Sequence, residues 1–208
     1  MDVEKTKSVA IIVAHPDDET LWAGGTILSH PSWKCYIVCL SRKNDLERAT
    51  KFYKALQIYK AEGIMGDLDD GPDQKPLEET CLEQAILNLL PTQHFDLIIS
   101  HNPLGEYTRH LRHEEVGTAV IKLWQSSQIS ANKLWTFAYQ DGNKEYYPVP
   151  IEKATIYRLL PEPIWSLKYS LMTESYGFEK NSWEAMTTPR AEAFWQFTDP
   201  DNMLKINV

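Results

Sequence analysis

Short apolar blocks alternate along the chain with longer stretches in which apolar residues return every three or four positions, and this alternation predicts the elements. Val9-Ala10-Ile11-Ile12-Val13-Ala14 is an unbroken apolar run of strand length, as a strand covered on both faces requires. Leu21 to Ser29 reads as a helix in which Gly24 and Gly25 allow close approach to a sheet, and Lys34 to Leu40 reads as a second strand. Asn44 to Tyr59 is predicted helical, with Leu46, Ala49, Phe52, Tyr53, Leu56 and Tyr59 at helical spacing. Leu77 to Leu90 repeats that pattern through Leu82, Ala85, Ile86 and Leu89, and Phe95 to Ser100 is another strand of the buried type. Leu111 to Trp124 follows as a helix, Leu134 to Tyr139 as a strand, and Ala154 to Leu160 as a strand that is antiparallel at an edge or in a hairpin. Helical patches near Ile164 to Tyr176 and Pro189 to Phe197 complete the pattern. Strands alternating with helices imply a mostly parallel sheet with right-handed crossovers. The expected fold is therefore α/β, a Rossmann-like three-layer sandwich with helices on both faces of the sheet.

The 208 residues fit one domain spanning 1–208, with no repeat, low-complexity tract or linker. With 29 acidic against 21 basic residues, the net charge of -8 disfavours nucleic acid or an anionic membrane surface as a partner. Met1 to Lys7 is polar and the apolar run after it is too short for a signal segment or a membrane span, so a cytoplasmic location is expected. Cys35 and Cys39 would sit about 13 Å apart on one strand, beyond the reach of a disulfide. Cys81 falls on the apolar stripe of its helix, so all three cysteines are expected to be core thiols of a reducing compartment. No cysteine pair has zinc-site spacing, and any metal must be held by nitrogen and oxygen. The Gly- and Asp-rich stretch from Gly66 to Asp73 fails the EF-hand spacing and reads as a solvated loop near the mouth of a site. Trp22, Trp124, Trp135, Trp165, Trp183 and Trp195 are expected mainly in the core or at interfaces.

Candidate chemistry begins where the first strand ends. His15-Pro16-Asp17-Asp18-Glu19 places an imidazole and three carboxylates on the turn leaving an apolar strand, which is where open α/β sheets carry their sites. Such groups repel and desolvate one another unless a cation compensates them. Capping of the next helix accounts for one acid, not for the cluster. A second polar cluster, from His101 to Glu115, follows the strand ending at Ser100, and within it His110 and His113 stand three apart at a helix start. Together the clusters supply what a catalytic metal needs: three protein ligands, an open position and a nearby carboxylate base.

Ala14-His15-Pro16-Asp17-Asp18-Glu19 and His101-Asn102-Pro103-Leu104-Gly105-Glu106-Tyr107 followed by His110 and His113 resemble the two motifs of the PIG-L/LmbE-like family of zinc-dependent N-acetylglucosamine deacetylases. Weaker similarity extends through Leu68 to Gly71 and into Glu192-Ala193-Phe194. The resemblance implies that His15, Asp18 and His113 bind zinc, or another divalent ion such as Fe2+, Mn2+ or Co2+. It implies Asp17 as general base, His110 as partner of the developing oxyanion, Tyr107 near that oxyanion, and Arg48 or Arg42 on a substrate hydroxyl or phosphate. Read without the resemblance, both arginines are surface residues. The implied substrate is a small N-acetylated amino sugar or conjugate, cleaved to acetate and a free amine.

One departure stands out. The family commonly has Pro-Asp between the two histidines, and this chain has Leu111-Arg112. That loss removes an orienting acid for His110, a place that Glu106, Glu114 or Glu115 could fill. The departure also motivates a second reading, a catalytically silent metal- or sugar-binding member of the same fold. A nucleotide-binding protein is disfavoured, because no Gly-x-Gly-x-x-Gly follows the first strand, and no serine nucleophile elbow is present. The oligomeric state is not legible.

Overall fold

Side-chain alternation within the strands decides the architecture. A computed structural model describes residues 6–200. Along β1 (Ser8–Val13), Val9, Ile11 and Val13 join one buried cluster while Ala10 and Ile12 join another on the opposite face. β2 (Lys34–Ser41) repeats the division, with Cys35, Ile37 and Cys39 on the first face and Val38 and Leu40 on the second. Strands apolar on both faces must be covered on both. α1 (Asp18–Ser29) and α2 (Leu46–Tyr59) cover the first face through Leu21, Trp22, Phe52 and Leu56. α3 (Glu79–Leu89) and α4 (Leu111–Gln125) cover the second through Leu82, Ile86, Val116, Val120 and Leu123. The expected three layers are present.

The sheet and its flanks are completed by β3 (Glu62–Leu68), β4 (Leu97–Ser100), β5 (Leu134–Phe137), β6 (Ile156–Leu159), α5 (Glu162–Ser170), α6 (Trp183–Thr187) and β7 (Ala191–Phe197), with two-residue strand pairs and one wide helical turn, Leu171–Ser175, besides. In space the strands run β6-β7-β5-β4-β1-β2-β3. Pairing is parallel throughout except on the two sides of β7, which runs antiparallel to β5 and β6. From β1 the chain moves outward to β2 and β3, then returns to β4 and β5 on the other side. The strand order thus reverses between β1 and β4, and the loops beyond their carboxyl ends diverge to leave a crevice.

Several expectations are corrected. The patch from Pro189 to Phe197 is not helical: Ala191–Phe197 is a strand inserted between β5 and β6, and its pairing on both sides overrides a composition rich in helix formers. Ala154 to Leu160 does contain an antiparallel edge strand, β6. Cys81 is exposed on α3, which buries Leu82 and Ile86 instead, whereas Cys35 and Cys39 are buried free thiols. Leu46 and Tyr53 likewise lie outside the buried face of α2. Gly66 to Leu68 belongs to β3, a strand that the apolar pattern does not reveal because only Met65 in it is buried. α1 begins at Asp18 rather than Leu21, so its first turn carries the acids of the motif.

Gly25 confirms the close approach expected of α1. Its N–H donates to Glu192 Oε1 at 2.7 Å, and Lys168 Nζ meets the same oxygen at 2.7 Å, both side chains being fully buried. Gly117 on α4 does comparable work on the opposite face. A Cβ there would lie 2.7 Å from the His101 carbonyl oxygen and 2.8 Å from the Pro103 nitrogen, both backbone atoms that cannot swing aside. Backbone thus rests directly on backbone, and this contact sets how close α4 comes to the loop after β4. Gly117→Ala should therefore cost about 1–3 kcal/mol through overpacking. An unchanged melting temperature would show that the loop yields freely.

Candidate active site

At the end of β1 the chain must turn sharply into α1, and the turn is held by the motif's own acids. Asp17 adopts φ 121, a left-handed conformation that few residue types other than glycine, aspartate and asparagine accept. Its N–H donates to Glu19 Oε2 at 3.1 Å, while Glu19 Oε1 accepts from Thr20 Oγ1 at 2.5 Å and from the Tyr176 hydroxyl at 2.6 Å. Glu19 is fully buried, so it latches the turn and does not face substrate. Asp18 accepts the His15 N–H through Oδ2 at 2.8 Å and the Trp22 indole N–H through Oδ1 at 3.2 Å. Both oxygens are thereby aimed.

His113, in the first turn of α4, completes a cluster with these residues. His15 Nδ1 lies 3.2 Å from Asp18 Oδ2 and 3.2 Å from His113 Nε2, and His113 Nε2 lies 3.3 Å from Asp18 Oδ2. A tetrahedral cation with bonds of about 2.1 Å holds its ligands about 3.4 Å apart, so this nearly equilateral triangle fits one face of such an ion. Each imidazole also has a carboxylate on its outer nitrogen: His15 Nε2 is 3.1 Å from Asp70 Oδ1, and His113 Nδ1 is 2.6 Å from Glu106 Oε2. Donation of the outer N–H to those oxygens leaves the inner lone pairs directed at the common point.

His101 also stands within ligand distance of Asp18 and His113. Its Nε2, however, accepts the Ala14 N–H at 3.0 Å, and its Nδ1 donates to Glu106 at 3.0 Å. Both ring nitrogens are committed, and the residue ties the end of β1 to Glu106. Burial would push Glu106 up, but the His101 and His113 imidazoles outweigh it and hold its carboxyl down at about 2. Burial likewise opposes ionisation of Asp18, yet His113 and His101 keep it well below the usual carboxylate range. Asp17 shifts the other way, raised by burial and by the adjacent Asp18 charge. His110, the N-cap residue of α4, is depressed to about 3 by burial and by the imidazoles of His113 and His15.

His15, Asp17, Asp18 and His110 open onto a cavity of about 380 Å³. Arg48 and Tyr107 also line it, so six of the seven expected site residues face the cavity, and the seventh, the buried His113, joins them through the triangle. Arg48 places Nη1 3.8 Å from Asp17 Oδ2. Arg42 is committed to Asp70 through Nε at 2.9 Å and Nη2 at 2.6 Å. Neither is a plain surface residue. Tyr107 packs between Trp183, at 4.8 Å between ring centroids, and His110, at 5.7 Å.

The sequence profile of the family described as GlcNAc-PI de-N-acetylase, PIG-L, matches residues 10–124, more than half of the chain and both motifs. The chain belongs to the PIG-L family. An uncharacterised protein of Acanthamoeba polyphaga mimivirus is 22% identical over 157 residues, covering 69% of this chain and 67% of that protein. Among solved structures, N,N'-diacetylchitobiose deacetylase from Pyrococcus horikoshii superposes with a TM-score of 0.66 at 17% identity, covering 92% of this chain and 84% of its own. The zinc-inhibited form of teicoplanin deacetylase gives a TM-score of 0.60 at 13% identity, covering 94% of this chain and 100% of its own. The 4-carboxy-2-hydroxymuconate hydratase of Pseudomonas putida gives 0.62 at 17% identity, with coverage of 93% and 97%. These likenesses share the fold; they do not choose a reaction.

Against the PIG-L pattern, Leu111-Arg112 has a structural explanation. Arg112 does not face His110. It is buried beneath the 69–75 loop, donating to the carbonyls of Asp69 at 2.7 Å and Lys75 at 2.8 Å and to Glu115 Oε2 at 2.5 Å. Among the described residues no acid takes the missing partner's place: Glu106 serves His101 and His113, Glu115 serves Arg112 and the Leu77 N–H, and the buried His110 Nδ1 has no hydrogen-bond partner, Glu114 included. Arg112 thus fastens the loop that carries Asp70 against His15. Sequence reading gave Asp70 no role; its one signal was an acid-rich stretch placed near the site. Asp70→Asn should weaken divalent-metal affinity by about 10–100-fold. Competition with a chelator reads this directly, and unchanged affinity would exclude Asp70 as an orienting partner of His15. Among the described residues no helix is long and apolar enough to cross a membrane.

Proposed function

We propose that this PIG-L protein is a metal-dependent N-deacetylase that removes an acetyl group from the nitrogen of a small N-acetylated amino sugar or a conjugate of one. The observation that carries this reading is the triangle of His15, Asp18 and His113 with Asp17 and His110 beside it on one cavity. A cation held there, zinc or another divalent ion, supplies Lewis acidity and lowers the pKa of a water toward ~7. Asp17 accepts the proton of the attacking water. His110 donates an imidazole N–H to the carbonyl oxygen as it becomes anionic, which its neutral form can do. Asp17 then returns its proton to the departing nitrogen, the C–N bond breaks, and the second proton of the water passes from the carboxyl product to the amine, so that acetate and an ammonium group leave with atoms and charge balanced.

The experiment is metal analysis of the purified chain together with acetate release from a panel of N-acetylated sugars, including N-acetylglucosamine and N,N'-diacetylchitobiose. About one divalent ion per protomer and release from at least one sugar are expected. A metal-loaded protein that binds sugars and releases no acetate from any of them would favour the catalytically silent reading.

A further inference from the structure

We infer that a second cavity beside the proposed catalytic one is a subsite for a neutral sugar ring attached to the acylated ring, with Tyr147, Tyr146 and Trp183 as its platform. The inference rests on the deacetylase reading for the identity of the first ring. This cavity, of about 570 Å³, shares Tyr107 and Trp183 with the one that His15, Asp17 and Asp18 line. Tyr107 and Trp183, packed 4.8 Å apart between ring centroids, thus wall both spaces, and a substituent directed away from the metal ligands would cross the rim of that ring pair to enter the second.

Its outer wall is the 141–148 loop, and the loop is built rather than slack. Tyr139–Gln140 pairs antiparallel with Val149–Pro150 and closes its base. Asp141 accepts the Thr108 N–H and hydroxyl, each at 2.7 Å, and the Asn143 N–H at 3.1 Å. The loop is therefore anchored to the segment next to Tyr107. Gly142, at φ 59, lies under Tyr146 so closely that a Cβ would come within 2.3 Å of the ring.

Despite that anchoring, Tyr146, Tyr147 and Trp183 remain 44%, 45% and 36% exposed on this wall. Large rings held open beside a reactive site present faces to which the polarised C–H groups of a pyranose are attracted. Lys144 and Glu145, also on the wall, offer a donor and an acceptor to hydroxyl groups. Their charges cancel, and the Asp141 carboxylate is already engaged by Thr108 and Asn143. A neutral ring suits this lining better than a phosphate or a carboxylate does.

The test uses the full chain loaded with zinc. Acetate release from N,N'-diacetylchitobiose and from N-acetylglucosamine is compared in wild type, Tyr147→Ala and Tyr147→Phe. Saturation-transfer NMR of glucosamine and its β-linked disaccharide reads binding without turnover. The disaccharide should be favoured about tenfold or more in kcat/KM and in affinity. Tyr147→Ala should remove most of that preference and leave the monosaccharide rate unchanged, while Tyr147→Phe keeps it. Equal handling of one and two rings by the wild type, or a preference that survives Tyr147→Ala, overturns the subsite. If neither sugar releases acetate but the disaccharide still binds better through Tyr147, the deacetylase reading falls and the subsite stands.

Discussion

Purified His113→Ala protein should bind divalent metal at least about 100-fold more weakly than the wild type, a larger loss than any change outside the ligand set should produce. The reason is geometric. His113 Nε2 supplies one corner of a triangle whose sides are 3.2, 3.2 and 3.3 Å, and two remaining ligands cannot close a site around an ion. His110→Ala is the matched control: it removes an imidazole stacked 4.3 Å from His113, between ring centroids, yet should leave metal content unchanged. Elemental analysis after dialysis, with melting curves to verify folding, reads both variants. Full metal retention in His113→Ala would remove His113 from the ligand set. If His101→Ala lost the metal instead, the ion would sit on the Asp18–His101 side, where His101 Nε2 is 3.4 Å from Asp18 Oδ2.

The parts of this site that were legible in the sequence are those written locally. An uninterrupted apolar strand followed at once by His15, Asp17, Asp18 and Glu19 announces itself, because such crowding is costly without a purpose. The pair His110 and His113 is equally local. Asp70 is different: its partners His15 and Arg42 lie 55 and 28 residues away, and an acidic loop looks the same in sequence whether it is solvated or folded over a site. Arg112 illustrates the same limit in reverse. In sequence it marks only the loss of an acid between His110 and His113; the fold reveals that its guanidinium is spent on the backbone of the 69–75 loop.

Fold errors share that origin. Five strands of the sheet and the helices α1 to α4 follow from runs and periods in the chain, and all of them except the edge strand β6 bury residues of the apolar face the pattern marks. Ala191 to Phe197 mixes Ala, Glu, Phe, Trp and Gln, which favour a helix locally about as well as a strand. Its identity as β7 comes from β5 and β6 on either side, an interaction that no local window contains. Leu46 and Cys81 mark the opposite failure: each fits a helical period yet lies just outside the arc that the sheet covers. Periodicity locates a face but not its width.

Asp17→Asn should keep its metal and its fold while losing kcat by about 100-fold or more. The substitution is close to silent in structure. Asparagine accepts the left-handed backbone that φ 121 demands, and the bond from the residue 17 N–H to Glu19 is made by the main chain, so it survives. Oδ2 has a cation only at 3.8 Å, from a guanidinium whose side chain is 42% exposed, and such a contact contributes little. What disappears is basicity at the cavity carboxylate adjoining the triangle: Asp18 belongs to the triangle, Asp70 is engaged by His15, and Glu184 lies beside Trp183 on α6. Asp17→Ala is the informative companion, because alanine at this φ adds backbone strain and should lower the melting temperature where asparagine does not. Loss of metal in Asp17→Asn would make Asp17 a ligand and move the base elsewhere. Unchanged turnover of an N-acetyl sugar that the wild type cleaves would remove it from proton transfer altogether and turn the search for the base to His110 and Glu184, which line the same cavity.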